Sequence, residues 1–69
     1  MNKNQREKLT ARYHDLLLFN HLTKPGLEEY IQAYYQGRQT MLEEVMDMFF
    51  INYHNIKKDV EEELKNETN

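Results

Sequence analysis

The chain has 69 residues, which limits it to one domain with a small hydrophobic core. It contains no cysteine, so disulfides and thiolate zinc sites are excluded as sources of stability. The formal net charge of −3 argues against a general nucleic-acid-binding protein, because such proteins normally carry a basic excess. With a small core and no disulfide, helix packing or self-association must provide most of the stability.

The first predicted element is a helix over residues 4–22, preceded by frayed residues 1–3. Its apolar positions recur at helical spacing at Leu9, Tyr13, Leu16, Leu17 and Phe19. The first twelve residues are mostly polar or charged and lack the apolar segment of a secretory signal. We therefore expect a cytoplasmic protein without a membrane partner.

A turn is predicted over residues 23–26, where the sequence reads Thr-Lys-Pro-Gly. The dipeptide Pro25-Gly26 is the strongest local helix breaker in the chain, and the residue before proline is disfavoured in helical conformation. A turn this short makes the helices on either side antiparallel neighbours.

The second predicted element is a long helix over residues 27–64, followed by frayed residues 65–69. Apolar residues keep one helical face over this stretch, at Leu27, Ile31, Tyr34, Met41, Val45, Phe49, Ile56 and Val60. Such a helix would be roughly 55 Å long at about 1.5 Å per residue. The face keeps its phase across residues 37–40, which favours a continuous or gently kinked helix over a break there. The alternative is a third helix, with Gly37 ending one helix and Thr40 and Glu43 forming the capping box of the next.

The segment 46–53 is the most apolar part of this predicted helix. The first helix is too short to reach beyond about residue 46, so the remainder of the second helix would lack a partner within the chain. We therefore predict an interface for a second copy or another protein, formed by Met41, Val45, Met46, Phe49, Phe50, Ile51, Asn52 and Tyr53. Asn52 is polar on this face, and we expect it to pair across a symmetric interface or to contact a partner.

The predicted fold is therefore all-α. It is a helical hairpin of residues 4–22 and 27–64, forming one domain that assembles as a dimeric or higher helical bundle.

No residues are predicted to form a catalytic, cofactor or metal site. The chain has neither serine nor cysteine, so the common nucleophiles are missing. His14 and His21 are seven residues apart, too far for the i, i+4 pair that chelates one ion on a helix. An enzyme is not expected.

The leading functional hypothesis is a small protein–protein interaction module, such as a regulator, adaptor or inhibitor, that acts as a homo-oligomer. Its expected partners are a second copy and another protein. A first alternative is a nucleic-acid-associated protein that uses a basic cluster in the first helix, formed by Lys3, Arg6, Lys8 and Arg12. A second alternative is a purely structural subunit. The abundance of Asn, Lys and Glu resembles that of small proteins from AT-rich bacterial genomes and their phages.

Overall fold

The computed structural model describes residues 1–68, and these residues form an all-α fold, as the sequence predicts. The helices are α1 (Lys3–Leu22), α2 (Glu29–Met48) and α3 (His54–Thr68). A short 3-10 turn over Lys24–Gly26 separates α1 from α2. Within residues 1–68 there is no β-strand.

Helix α1 begins at a capping box. The Asn2 side chain accepts a hydrogen bond of 2.8 Å from the Gln5 N–H, and the Gln5 side chain accepts one of 3.1 Å from the Asn2 N–H. Both bonds satisfy N–H groups that lack partners at a helix start. The helix ends at Leu22, just before Pro25, so its predicted bounds are accurate to one residue.

Helix α2 continues through Gly37, as the preferred reading of the sequence predicts. The Thr40 hydroxyl donates to the Gln36 carbonyl oxygen over 3.1 Å, a bond within the helix, so Thr40 does not cap a new one. The alternative of a break at residues 37–40 is therefore wrong.

The prediction of one long helix over residues 27–64 is also wrong, because the chain leaves the helix at residues 49–53. The Ile51 N–H donates to the Met46 carbonyl over 2.8 Å, and the Phe50 N–H donates to the Asp47 carbonyl over 3.2 Å. These two bonds form a Schellman motif, with Phe50 as its left-handed residue at φ 58°. The motif turns Met46 and Ile51 inward together, and both are buried in the core.

Helix α3 starts immediately after this turn and folds back onto α1. The Asn52 side-chain oxygen accepts a hydrogen bond of 3.1 Å from the His54 N–H at the helix start. Val60 of α3 is buried in the core, and Glu63 reaches His14 of α1 at 3.1 Å. The part of the second helix that was predicted to lack a partner within the chain is thus replaced by a third helix that packs against α1.

Helix α1 is the central element, because α2 and α3 both pack against it while their backbones stay apart. The buried apolar core contains Tyr13, Leu17, Met46, Ile51 and Val60. The described part of the molecule is flat, with extents of 36 × 31 × 17 Å and a radius of gyration of 12.8 Å. A compact domain of this length would have a radius of gyration of about 11 Å. The open arrangement leaves one side of the α1–α2 pair uncovered.

Candidate interaction surface

The structure divides the eight residues of the predicted interface into buried and exposed groups. Met46 and Ile51 are 0% and 7% exposed and lie in the core of the single chain. Both side chains are therefore buried within the chain and not on its surface, where the predicted interface needs them, because the turn at residues 49–53 directs them inward. Tyr53 is half-buried, with its ring edge-on to Tyr13 at a centroid distance of 5.9 Å.

The exposed members of the predicted interface are on α2 and the turn after it. Phe50 is 94% exposed, Met41 65% and Phe49 45%, while Val45 is half-buried. These residues form an apolar surface that nothing within the described chain covers.

Three further apolar residues extend this surface and were missed in the sequence-based interface. Tyr30, Tyr34 and Met48 are all well exposed on α2. Together with Met41 they form a line along one face of the helix, which we call the α2 stripe (Tyr30, Tyr34, Met41 and Met48). The seven-residue spacing of Tyr34, Met41 and Met48 was the signal that could have identified it.

Gly37 lies in the same line as the α2 stripe, between Tyr34 and Met41. A Cβ atom built at Gly37 would have nothing within 4 Å. No part of the described chain approaches this position, so an approaching backbone would have to come from another molecule.

Phe50 has the most unusual position in this surface. Its φ of 58° is in the left-handed region, which is rare for a bulky side chain and costs on the order of 1–2 kcal/mol. Its ring is also in water, which forgoes about 1.5–3 kcal/mol of burial. The turn that this conformation makes possible buries Met46 and Ile51, but nothing within residues 1–68 accounts for an exposed aromatic ring at this position.

Asn52 has a local structural role. It lies in the connector between α2 and α3, and its side chain caps the start of α3 through the His54 N–H. The premise that Asn52 interrupts the apolar face of a helix is therefore wrong, because residue 52 is outside any helix.

The four basic residues of α1 do not form one patch. Lys3 and Arg6 line a cavity between α1 and α3, where Asp59 is on the opposite wall. Lys8 and Arg12 line a hollow between α1 and α2. The two pairs are thus on different sides of α1, and a single phosphate backbone would not follow both.

A groove runs along the uncovered side of the α1–α2 pair. It consists of two adjoining hollows of about 490 and 560 Å³, and Arg12 contributes to the walls of both. The floor is apolar, and its side chains include Leu9 and Leu16 of α1 and Leu42, Val45 and Phe49 of α2. We call this feature the α1–α2 groove.

A polar cluster lies on the other side of the α1–α2 pair. The buried Tyr13 hydroxyl donates to Glu43 over 2.5 Å, and Gln39 and Lys57 each donate to the same carboxylate oxygen over 3.1 Å. Burial and, to a lesser extent, the hydrogen bond to Glu43 raise the pKa of Tyr13 far above its usual range. Burial alone would raise the pKa of Glu43, but the three donors outweigh it and lower the pKa. The cluster joins all three helices through one carboxylate, so it is a structural feature of the fold.

His14 connects α1 to α3. Its Nε2 atom is 3.1 Å from a Glu63 oxygen, and its Nδ1 atom is 3.6 Å from an Asp15 oxygen. The hydrogen bond with Glu63 is the largest influence on its pKa, which is raised despite the opposing effect of burial. No group of three or more metal-ligating side chains in residues 1–68 could hold an ion.

None of the three helices, in the part of the chain that the structure describes, is long and apolar enough to span a membrane. Comparison with known proteins finds no protein-family model, curated protein or solved structure that matches this chain.

Proposed function

We propose that this chain is a small, non-enzymatic protein–protein interaction module that acts as a homo-oligomer. The observation that carries the proposal is Phe50, a fully presented aromatic ring at a left-handed backbone position. The turn itself needs only a residue that tolerates positive φ, so the bulky exposed ring at this position supports a functional role.

The amount of apolar surface supports the same proposal. Tyr30, Tyr34, Phe49 and Phe50 expose between 45% and 94% of their surface. At about 200 Å² for a fully exposed aromatic side chain, these four residues alone present roughly 500 Å². Met41 and Met48 add to this area, which approaches the roughly 800 Å² that each partner of a standard interface buries. Exposed apolar area of this size often marks an interaction site.

The α2 stripe favours a second copy as one of the partners. Its residues recur in a heptad-like pattern, which suits the packing of one helix against another. Pairing two α2 helices would bury the stripe of both chains and assemble the antiparallel α1–α2 hairpins into a dimeric or higher bundle. Gly37 would allow the two backbones to approach closely at the middle of the stripe.

The test is the absolute mass in solution, measured by size-exclusion chromatography with light scattering over a range of concentrations. We expect a dimer or larger species for the unaltered chain, and a monomer for Phe50→Asn and for Met41→Glu. Asparagine tolerates the left-handed region, so Phe50→Asn removes the ring without straining the turn.

Leu22→Asn is the matched control, because Leu22 is 63% exposed at the end of α1 and outside the proposed surface. It should leave the mass unchanged. A monomeric unaltered chain at every concentration would contradict self-association. A tagged copy that recovers no second protein from its host would instead favour a purely structural subunit.

A further inference from the structure

We propose that the α1–α2 groove binds an amphipathic helix of another protein, with one apolar face and acidic flanks. The proposal rests on the proposed role as an interaction module, and it names the class of partner. It uses the groove residues, whereas self-association uses the α2 stripe and Phe50. Phe49 borders both surfaces.

The floor of the groove has the dimensions and spacing for one helix. On α2, the wall from Tyr35 to Phe49 spans fourteen residues, or about 21 Å at about 1.5 Å per residue. This length matches a helix of about four turns. Floor residues Leu42, Val45 and Phe49 are three and four residues apart, so they face the groove in a regular row. A helix in such a groove is held by apolar residues at positions i, i+4, i+7 and i+11.

The rim of the groove is basic. Lys8, Arg12 and Arg38 line it and are all exposed. Within residues 1–68, none of these three cations has a carboxylate within ion-pair distance. Arg38 instead donates to the Tyr34 hydroxyl over 3.1 Å. Asp15 is the one acidic residue that lines the groove. Charge complementarity therefore favours a ligand with carboxylates beside its apolar face.

The molecule already contains one helix of this type, bound to the other side of α1. Helix α3 packs Ile56, Val60 and Leu64 toward the core, and its remaining surface is rich in glutamate. Its Asp59 shares a cavity with Lys3 and Arg6, the other basic pair of α1. Lys3 and Arg6 thus face an acidic amphipathic helix, whereas Lys8 and Arg12 face an open groove.

The occupant is a different chain and not α3 of a second copy. The apolar face of α3 is already packed in its own core, so a second copy would present only charged side chains to the apolar floor. An apolar floor also favours a helix over a nucleic acid, whose phosphates would contact the rim and leave Leu42 and Val45 exposed.

The experiment uses two fluorescein-labelled peptides of 16 residues with capped ends. Both carry leucine at positions i, i+4, i+7 and i+11. One has glutamate at the flanking positions, and the other has glutamine there. Fluorescence anisotropy should show saturable binding of the acidic peptide, at least about tenfold tighter than that of the glutamine peptide. The binding of the acidic peptide should weaken as salt is added.

The variant Arg12→Gln/Arg38→Gln should weaken binding of the acidic peptide by about tenfold, since both charges are on the rim. The matched control Lys3→Gln/Arg6→Gln removes the same charge from the other side of α1 and should change the affinity less than about twofold. Light scattering on the same samples reports the oligomeric state, so a failure of peptide binding is distinguished from a failure of self-association.

Three results would overturn the proposal. The first is equal affinity for the two peptides, or no saturable binding of either. The second is an equal loss of affinity in the two double variants, which would indicate a general charge effect. The third is tighter binding of a labelled 20-nucleotide single-stranded DNA than of the acidic peptide. If that binding also depends on Arg12 and Arg38, it would identify the groove as a nucleic-acid site.

Discussion

At the scale of single residues, the turn at Phe50 shows how tertiary contacts override local preference. Glycine or asparagine normally occupies the left-handed position of a Schellman motif, and the sequence has phenylalanine there. The residue type at position 50 therefore does not indicate a helix end at Met48. On a continuous helix Met46 and Ile51 would point about 140° apart, whereas the turn directs both side chains into the same core.

Replacing Phe50 with glycine should stabilise the isolated chain by about 1 kcal/mol, because glycine adopts positive φ without steric cost. The measurement is urea unfolding at a protein concentration low enough for a monomer, with the midpoint compared at an unchanged m value. The neighbouring Phe49→Gly is the control, since Phe49 has φ −103° and gains nothing from glycine. A loss of stability in Phe50→Gly would show that the exposed ring is stabilised by contacts within the chain.

At the scale of helices, the sequence predicted those boundaries that depend on local chemistry. The end of α1 was accurate because Pro25 and Gly26 are incompatible with continued helix. The break at residues 49–53 was missed because that segment has neither residue. One signal was present: Phe50 and Ile51 point away from the apolar face of a continuous helix. This pattern marks the end of the helix, and the predicted lack of a partner for residues 46–53 within the chain does not follow from it.

The same distinction explains how much of the candidate surface was predictable. Met41, Phe49 and Phe50 were identified because they are apolar residues in or near the most apolar segment of the predicted second helix. The α1–α2 groove could not be recognised, because it depends on α3 taking the other side of α1. Helical spacing already puts Lys3 and Arg6 on a different face of α1 from Lys8 and Arg12, but only the position of α3 decides which pair borders an open groove.

Gly37 gives a prediction at this scale. It is in the interior of α2 with open space around its Cα, so Gly37→Ala should stabilise the isolated chain by about 0.5–1 kcal/mol. In the proposed oligomer, the added methyl group would separate the two backbones, and the variant should self-associate more weakly. Thermal unfolding of the monomer and the mass at increasing concentration report the two effects. Stronger self-association in Gly37→Ala would contradict close packing at this residue.

At the scale of the whole molecule, the three helices are held together by contacts to α1 and by a few polar links. The contact between His14 and Glu63 joins residues 49 positions apart and fixes α3 against α1. Lys57 and Glu43 form an ion pair of 3.1 Å between α3 and α2. Because the molecule is flat, the helices share few apolar contacts, and these polar links connect them in addition.

The link through His14 should make stability depend on pH. The pKa of His14 is raised in the folded chain, so its contribution is fully present below the unfolded value of about 6.5 and is lost as pH rises through the folded value. His14→Gln should therefore cost up to about 1 kcal/mol at pH 5.5, and less at pH 8.5. Urea unfolding of both proteins at the two pH values measures the difference, with His21→Gln as the control on the same helix. An equal cost at both pH values would contradict the link.

The central place of α1 also has a consequence for synthesis. Because α1 comes first in the chain, its side chains at Leu16, Leu17 and Phe19 are made before either helix that covers them. At about 5–20 residues per second, residues 23–48, which include α2, take roughly 1–5 s to be translated. During that time α1 has apolar residues on several sides and no partner helix after it in the chain, and its α3 side stays open for longer. The helix that is made first therefore completes its contacts only after the other two have been made.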